Sequence, residues 1–260
     1  MKVLVVPTAE RAATRAAGLV ADCLNVGDRP VLGLATGSTM EPVYADLVAR
    51  FRTGAISFSG ATTFNLDEYV GLSPDHPQSY RRTMHRLLFD HVDIDVGACH
   101  LPQGDAPDPH VEAQRYDAAI AAAGGIDIQL LGIGRNGHIG FNEPTSSLGA
   151  RTRIKTLTRS TRQANAAFFA KPEDVPRHAI TMGIANILEA RHCVLVATGA
   201  AKAGAVARMI EGPLGADCPA TALQLHARAT VIVDGHAAAG LELIDYYQEI
   251  HPDGEEPVLV

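Results

Sequence analysis

Mostly apolar runs at residues 2–6 (KVLVV), 31–35 (VLGLA), 61–65 (ATTFN), 126–131 (IDIQLL), 192–197 (HCVLVA) and 229–234 (ATVIVD) punctuate the chain. Runs of this kind, without strict alternation of apolar and polar positions, predict strands covered on both faces. Between them the apolar positions recur every three or four residues. Thr8 can cap a helix whose inward side carries Ala12, Ala16, Val20 and Leu24. Further helices are predicted over 40–52, 79–89, 111–123, 184–190 and 237–250, and another from Lys202 to Glu211. Gly124-Gly125 stops the one before it. Residues 179–182 read as a short strand. Alternating strands and helices predict an α/β fold: an open, mostly parallel sheet with helices on both faces, Rossmann-like and three-layered. The chain reads as one domain over 1–260. Residues 145–182 break the pattern and read as an inserted segment, with a lid over about 157–182. The tail, 251–260, holds two prolines and is expected to be loose.

Polar loops at 36–39, 66–69, 132–143 and 198–202 each follow a predicted strand directly. They therefore lie at the C-terminal edge of the sheet, where open parallel sheets bind ligands. The longest contains Gly132-Ile133-Gly134-Arg135-Asn136-Gly137, a literal match to the dinucleotide-binding turn. That turn needs a helix starting inside it to meet a pyrophosphate. Here Gly140 and Pro144 interrupt any helix, and Arg151, Arg153 and Lys155 stand where a ribose-binding acid belongs. The glycines instead suit close approach of backbone to a small ligand.

Thr36-Gly37-Ser38-Thr39 offers backbone N–H groups and three hydroxyls at a helix start. That suits a phosphate, or simply a capped turn. Lys202 also stands at a predicted helix start, where the helix dipole disfavours a cation and an anionic ligand would explain it. Asp67-Glu68 ends a buried strand, so either acid can cap a turn or serve as a general base. His138 lies five residues before Glu143 in the glycine-rich loop, a spacing at which a carboxylate can orient an imidazole for proton transfer. If 151–155 is a strand, Arg151, Arg153 and Lys155 share one side and make a local anion site.

Charge and composition narrow the partners. The net charge of −7 disfavours non-specific binding to nucleic acid or anionic membrane. The four cysteines are far apart with no C-x-x-C, and H-E-x-x-H is absent, so no metal and no redox cofactor is expected. With no signal peptide and no long apolar stretch, the chain reads as cytoplasmic. A phosphate cradle, a carboxylate base and a His–Glu pair together fit proton abstraction beside the carbonyl of a phosphorylated sugar.

These residues resemble the glucosamine-6-phosphate deaminase (glucosamine-6-phosphate isomerase) family over nearly the whole chain. The matching stretches are 33–39 (GLATGST), 64–72 (FNLDEYVGL), 76–80 (HPQSY), 137–144 (GHIGFNEP), 146–148 (SSL), 151–158 (RTRIKTLT) and 223–226 (LQLH). The resemblance implies a hydrolase of amino sugar catabolism that isomerises and deaminates glucosamine 6-phosphate to fructose 6-phosphate and ammonia. Carried over by position, it implies Asp67 as the base between C2 and C1, and His138 as the ring-opening group, tuned by Glu143 with Asn136. It implies Thr36, Gly37, Ser38, Thr39 and Lys202 on the phosphate. In allosteric members an N-acetylglucosamine 6-phosphate site lies between subunits. Its matching positions here are Met1, Ser146, Arg153 and Lys155, with Tyr246 from a neighbouring chain. Those members are hexamers and others are monomers.

The sequence departs from the family pattern twice. Asn136 replaces a common aspartate, so it can hydrogen-bond the imidazole without adding charge. Ala167 replaces a lid arginine that contributes to the phosphate site, a loss worth about 1.5–3 kcal/mol of substrate binding; Arg159 or Arg162 are the cations available to compensate. Two other readings stay open. One is action on a related sugar phosphate, such as galactosamine 6-phosphate, or lactone hydrolysis as in the related 6-phosphogluconolactonases. The other is a catalytically weak sugar-phosphate sensor.

Overall fold

The structure, a computed structural model, describes residues 1–165, 169, 171 and 174–255. Seven strands build the main sheet: β1 (Lys2–Val6), β2 (Val31–Leu34), β3 (Thr62–Asn65), β5 (Cys99–His100), β6 (Ile128–Leu131), β9 (His192–Ala197) and β10 (Ala229–Asp234). Their order is β1-β10-β9-β6-β2-β3-β5, and every pairing is parallel. The helices that connect and flank them are α1 (Ala9–Val26), α2 (Glu41–Arg52), α3 (Tyr80–Leu87), α4 (Pro109–Ala122), α6 (Ile184–Leu188), α7 (Ala203–Glu211) and α8 (Ile244–Ile250). The α/β architecture expected from the hydrophobic pattern is therefore present. No helix among the described residues is long and apolar enough to cross a membrane.

The helices start where the sequence provides caps. The Thr8 hydroxyl accepts from the Arg11 N–H, and alanines at 12, 13, 16 and 17 let α1 lie close on the sheet. Asp108 caps α4, accepting from the His110 and Val111 N–H groups. The closing helix is shorter than the 237–250 its periodicity predicts. The Asp234 carboxylate takes the Ala237 N–H at 2.8 Å, and Gly240 passes close to the Ala203 carbonyl of α7, so a turn occupies the first part.

A second sheet was not visible in the pattern as a sheet. It pairs β4 (Asp67–Tyr69) with β8 (His178–Thr181) and β8 with β7 (Arg153–Thr156), all antiparallel. Between β7 and β8 stands α5 (Arg159–Asn165). The stretch 145–182 thus carries more regular structure than its irregular sequence suggests. Its apolar contacts form a separate small core of Tyr69, Leu72, Phe141, Leu157 and Ala179, with Tyr80 and Phe169 packed on it. Burying several such side chains contributes on the order of 1.5–3 kcal/mol each, enough to hold three short strands together.

Two core tyrosines fix the strand ends that lead into the loops. Tyr44 of α2 and Tyr116 of α4 are fully buried. Tyr44 Oη donates to the Ala35 carbonyl at 2.6 Å, one residue before Thr36. Tyr116 Oη donates to the Asn65 carbonyl at 2.7 Å, two residues before Asp67. Each buried phenol is satisfied by a backbone oxygen that would otherwise lack a partner at the end of a strand.

Candidate active site

The polar segments at 36–39, 66–69, 132–143 and 198–202 leave β2, β3, β6 and β9, but the second of them is not the loop expected: Asp67–Tyr69 is β4, paired with β8. In the sheet these four strands are consecutive, in the order β9-β6-β2-β3. Because they are parallel, the four segments emerge side by side on one edge.

The adjacent acids at 67 and 68 separate into two duties, because successive side chains on a strand point opposite ways. Glu68 turns toward α3. Its Oε1 accepts the Tyr69 and Tyr80 N–H groups at 2.9 and 3.0 Å, and its Oε2 accepts the Arg81 N–H at 3.0 Å. It is a helix cap. Asp67 is only 6% exposed and lies opposite Thr181 in the β4–β8 register. Burial, and then the charge of Glu68, push its carboxyl up to about 8, against weaker lowering by hydrogen bonds from the Thr181 side chain and the Phe141 backbone. A carboxylate of that basicity is a competent proton acceptor near neutral pH.

His138 is held by a short relay. Its Nδ1 lies 2.7 Å from Asn136 Oδ1 and 3.6 Å from Glu143 Oε2. Asn136 Nδ2 donates to the same Glu143 oxygen at 2.6 Å. Asn136 thus bridges imidazole and carboxylate, and Nδ1 acts as donor toward it, which leaves Nε2 for a ligand. The other Glu143 oxygen accepts a short hydrogen bond from the Thr161 hydroxyl of α5, and Thr158 Oγ1 stands 3.5 Å away and 3.0 Å from Thr161. Burial raises the Glu143 carboxyl, but the contacts with His138, Thr161 and Asn136 outweigh it and hold the group at about 2. Glu143 therefore stays charged throughout the physiological range.

The glycines of the loop have specific jobs, none of them dinucleotide binding. No helix starts within the motif. A Cβ on Gly134 would clash with three atoms of the His138 ring, so the imidazole folds back over that backbone. Gly140 has φ +55°, and a Cβ there would stand 3.1 Å from Thr181 Oγ1 and 3.3 Å from Asp67 Oδ2. Asn142 closes the loop from within, donating to the Ile139 and Met182 carbonyls at 2.9 and 2.8 Å.

At the other end of the loop cluster, Thr36 and Thr39 are half-buried and Gly37 and Ser38 exposed, ahead of α2, whose N-cap makes no side-chain hydrogen bond. Lys202 precedes α7, and its Nζ donates to the Ile133 carbonyl at 2.6 Å. Burial, followed by the neighbouring charge of Arg135, holds Lys202 below the usual lysine range. Arg135 is exposed and two residues beyond that carbonyl; the sequence reading overlooked it because it sits inside the false dinucleotide match.

Arg151 does not join an anion site with Arg153 and Lys155. It precedes β7 and pairs with Asp117 at 2.8 Å and Glu189 at 2.7 Å. Arg153 and Lys155 are half-buried on one side of β7, and buried Ser146 follows Glu143 closely. Met1 precedes β1 at the edge of the main sheet and Tyr246 lies on α8, which packs on β1; both are exposed, whereas Arg153 and Lys155 belong to the second sheet. Ala167 lies outside the described residues. Sequence reasoning missed Thr161 and Thr181, since an isolated threonine carries no signal of its partner, and could not tell that Glu68 is the acid that caps, because α3 begins a dozen residues later.

The family of glucosamine-6-phosphate isomerases/6-phosphogluconolactonase matches residues 7–232. The chain is 52% identical over 253 residues to the glucosamine-6-phosphate deaminase of Hahella chejuensis, covering 97% of each. It is 53% identical over 247 residues to that of Corynebacterium aurimucosum, covering 95% of this chain and 96% of the other. A solved structure of a monomeric glucosamine-6-phosphate deaminase matches with a TM-score of 0.91 at 45% identity, covering 92% of this chain and 100% of that one. The 6-phosphogluconolactonase of Trypanosoma brucei, at 18% identity and a TM-score of 0.71 over 92% of this chain and 98% of that one, shares the fold. With its fold, its loop cluster and these relatives in agreement, the chain belongs to the glucosamine-6-phosphate isomerase/6-phosphogluconolactonase family.

Proposed function

We propose that this protein is a glucosamine-6-phosphate deaminase, converting glucosamine 6-phosphate and water to fructose 6-phosphate and ammonia. The observation that carries the reading is the division between a buried, basic Asp67 and a His138 held by Asn136 and Glu143, on segments that leave the same edge of the sheet. The hydroxyls and N–H groups of Thr36 to Thr39, with Lys202, take the phosphate. His138 moves a proton between the ring oxygen and O1 as the pyranose opens. Asp67 then removes the proton from C2 while O1 takes one up, which gives an enolamine, and returns its proton to C1 while the nitrogen gives one up, which leaves an imine at the amine-bearing carbon. Water adds to that carbon and ammonia leaves, giving the 2-ketose. Lactone hydrolysis has no use for a base that shuttles a proton between carbons, so Asp67 favours the deaminase over the lactonase reading. The test is ammonia and fructose 6-phosphate formation from glucosamine 6-phosphate by the pure protein; no turnover at saturating substrate would overturn the reading.

Ser146, Arg153 and Lys155 we read as one half of a regulatory anion site for N-acetylglucosamine 6-phosphate, with Met1 and Tyr246 of a neighbouring copy as the other half. Ser146 Oγ and Arg153 Nη2 are buried and have no hydrogen-bond partner among the described residues, which leaves both donors available to an anionic ligand.

A further inference from the structure

Thr181 is fully buried, yet its hydroxyl touches both chemical halves of the site. It lies opposite Asp67 in the β4–β8 register. Its Oγ1 accepts the Phe141 N–H at 3.1 Å, from the loop that carries His138. The hydroxyl oxygen is thereby committed as an acceptor, and one proton remains to be donated. Two acceptors are near: the Asp67 carboxylate and the Met182 carbonyl at 3.3 Å. A charged acceptor makes the stronger hydrogen bond, so the ionised Asp67 takes it. Gly140 leaves room for this meeting, because any side chain there would stand against both Thr181 Oγ1 and Asp67 Oδ2.

We propose that Thr181 is a positioning residue that anchors one oxygen of the Asp67 carboxylate, so that the other oxygen alone takes the proton from one substrate carbon and returns it to the next. The inference rests on the reading of Asp67 as the base. An oxygen that already accepts the Thr181 proton is the poorer site for a further proton. The proton taken from C2 therefore stays on the substrate-facing oxygen and leaves from it to C1. No covalent bond to the protein forms and no other reactant is needed. Among the described residues the charged group bearing most on Asp67 is Glu68 on the same strand, while the phenols of Tyr69, Tyr80 and Tyr116 feel its charge in turn. None of them replaces the Thr181 hydroxyl.

The experiment compares Thr181→Val and Thr181→Ser with the parent protein, reading kcat, KM and the pH dependence of kcat/KM on glucosamine 6-phosphate. The Asp67 carboxyl titration is followed in parallel by carbon NMR without substrate. Valine keeps the shape and removes the donor. We expect it to lower kcat by at least about tenfold with KM within about twofold, and to move the acidic limb of the profile and the Asp67 titration upward. Serine is expected to restore both. A valine protein with unchanged kcat, limb and titration would place the Thr181 proton on Met182 and overturn the inference. So would a serine protein as impaired as valine. If valine does not fold, Thr181→Ala replaces it under the same criteria. If the parent releases no ammonia, the functional reading fails by itself, and the carboxyl titration still decides whether Thr181 holds Asp67.

Discussion

At the scale of single residues, the two adjacent acids are the sharpest case. Sequence left Asp67 and Glu68 interchangeable, each able to cap or to catalyse. The fold separates them by sending one to the N-terminus of α3 and burying the other beside Thr181. The burial has a cost that depends on pH. The carboxyl of Asp67 goes from an ordinary 3.8 to about 8 on folding, so the folded state favours its neutral form. That contribution is fully present below pH 4 and is lost as pH rises through about 8. Asp67→Asn should therefore abolish turnover yet stabilise the fold. Its advantage over the parent should grow from pH 4 to pH 8 and reach the order of several kcal/mol. Melting curves across that range check the sign, and a variant that loses stability with rising pH as the parent does would refute the assignment. His138 and Glu143 could be singled out as a pair by their residue types and spacing, whereas Asp67 was separated from Glu68 only by the family resemblance. Thr161 and Thr181 were not legible, because only the tertiary pairing of β4, β8 and α5 gives a threonine something to hold.

At the scale of elements, six of the seven strands of the main sheet were readable from the hydrophobic pattern, since each buries a nearly continuous run, and so were most helices; β5, two residues long, was not. Nor was the three-stranded sheet. β4 is short and polar, and β7 is Arg-Ile-Lys-Thr, so neither shows an apolar run, and their partner β8 supplies the burial. The glycine-rich loop looked like one element and is another. Its clearest test is Gly134→Ala, where a methyl group would clash with the His138 ring. The imidazole must then leave its place over the loop, while β6 and its neighbours stay packed. We expect kcat to fall by about two orders of magnitude with the melting temperature little changed. Activity near the parent level would mean that the ring need not lie there.

At the scale of the whole molecule, strand order was beyond the sequence, because pattern says which segments are strands and not which are neighbours. The order brings the four functional segments together and leaves Met1 and Tyr246 beside β1, at the edge of the main sheet, while Arg153 and Lys155 stand in the second sheet. On the proposed regulation, one chain does not supply the complete anion site. Activation by N-acetylglucosamine 6-phosphate should then track assembly: a sample that sediments as a monomer should show the same KM with and without it. Activation of a verified monomer would remove Met1 and Tyr246 from the site.

The phenols of Tyr44 and Tyr116 give the molecule a property that neither a stability assay nor an active-site inspection would reveal. Each reaches from beneath the sheet to the last carbonyls before a functional loop. The tolerance of the active site is thus machined in the interior: a change at α2 or α4 that tilts either ring would shift Thr36 or Asp67 without touching substrate. Variation in those two helices will be heard as noise in catalysis before it is felt as loss of the fold.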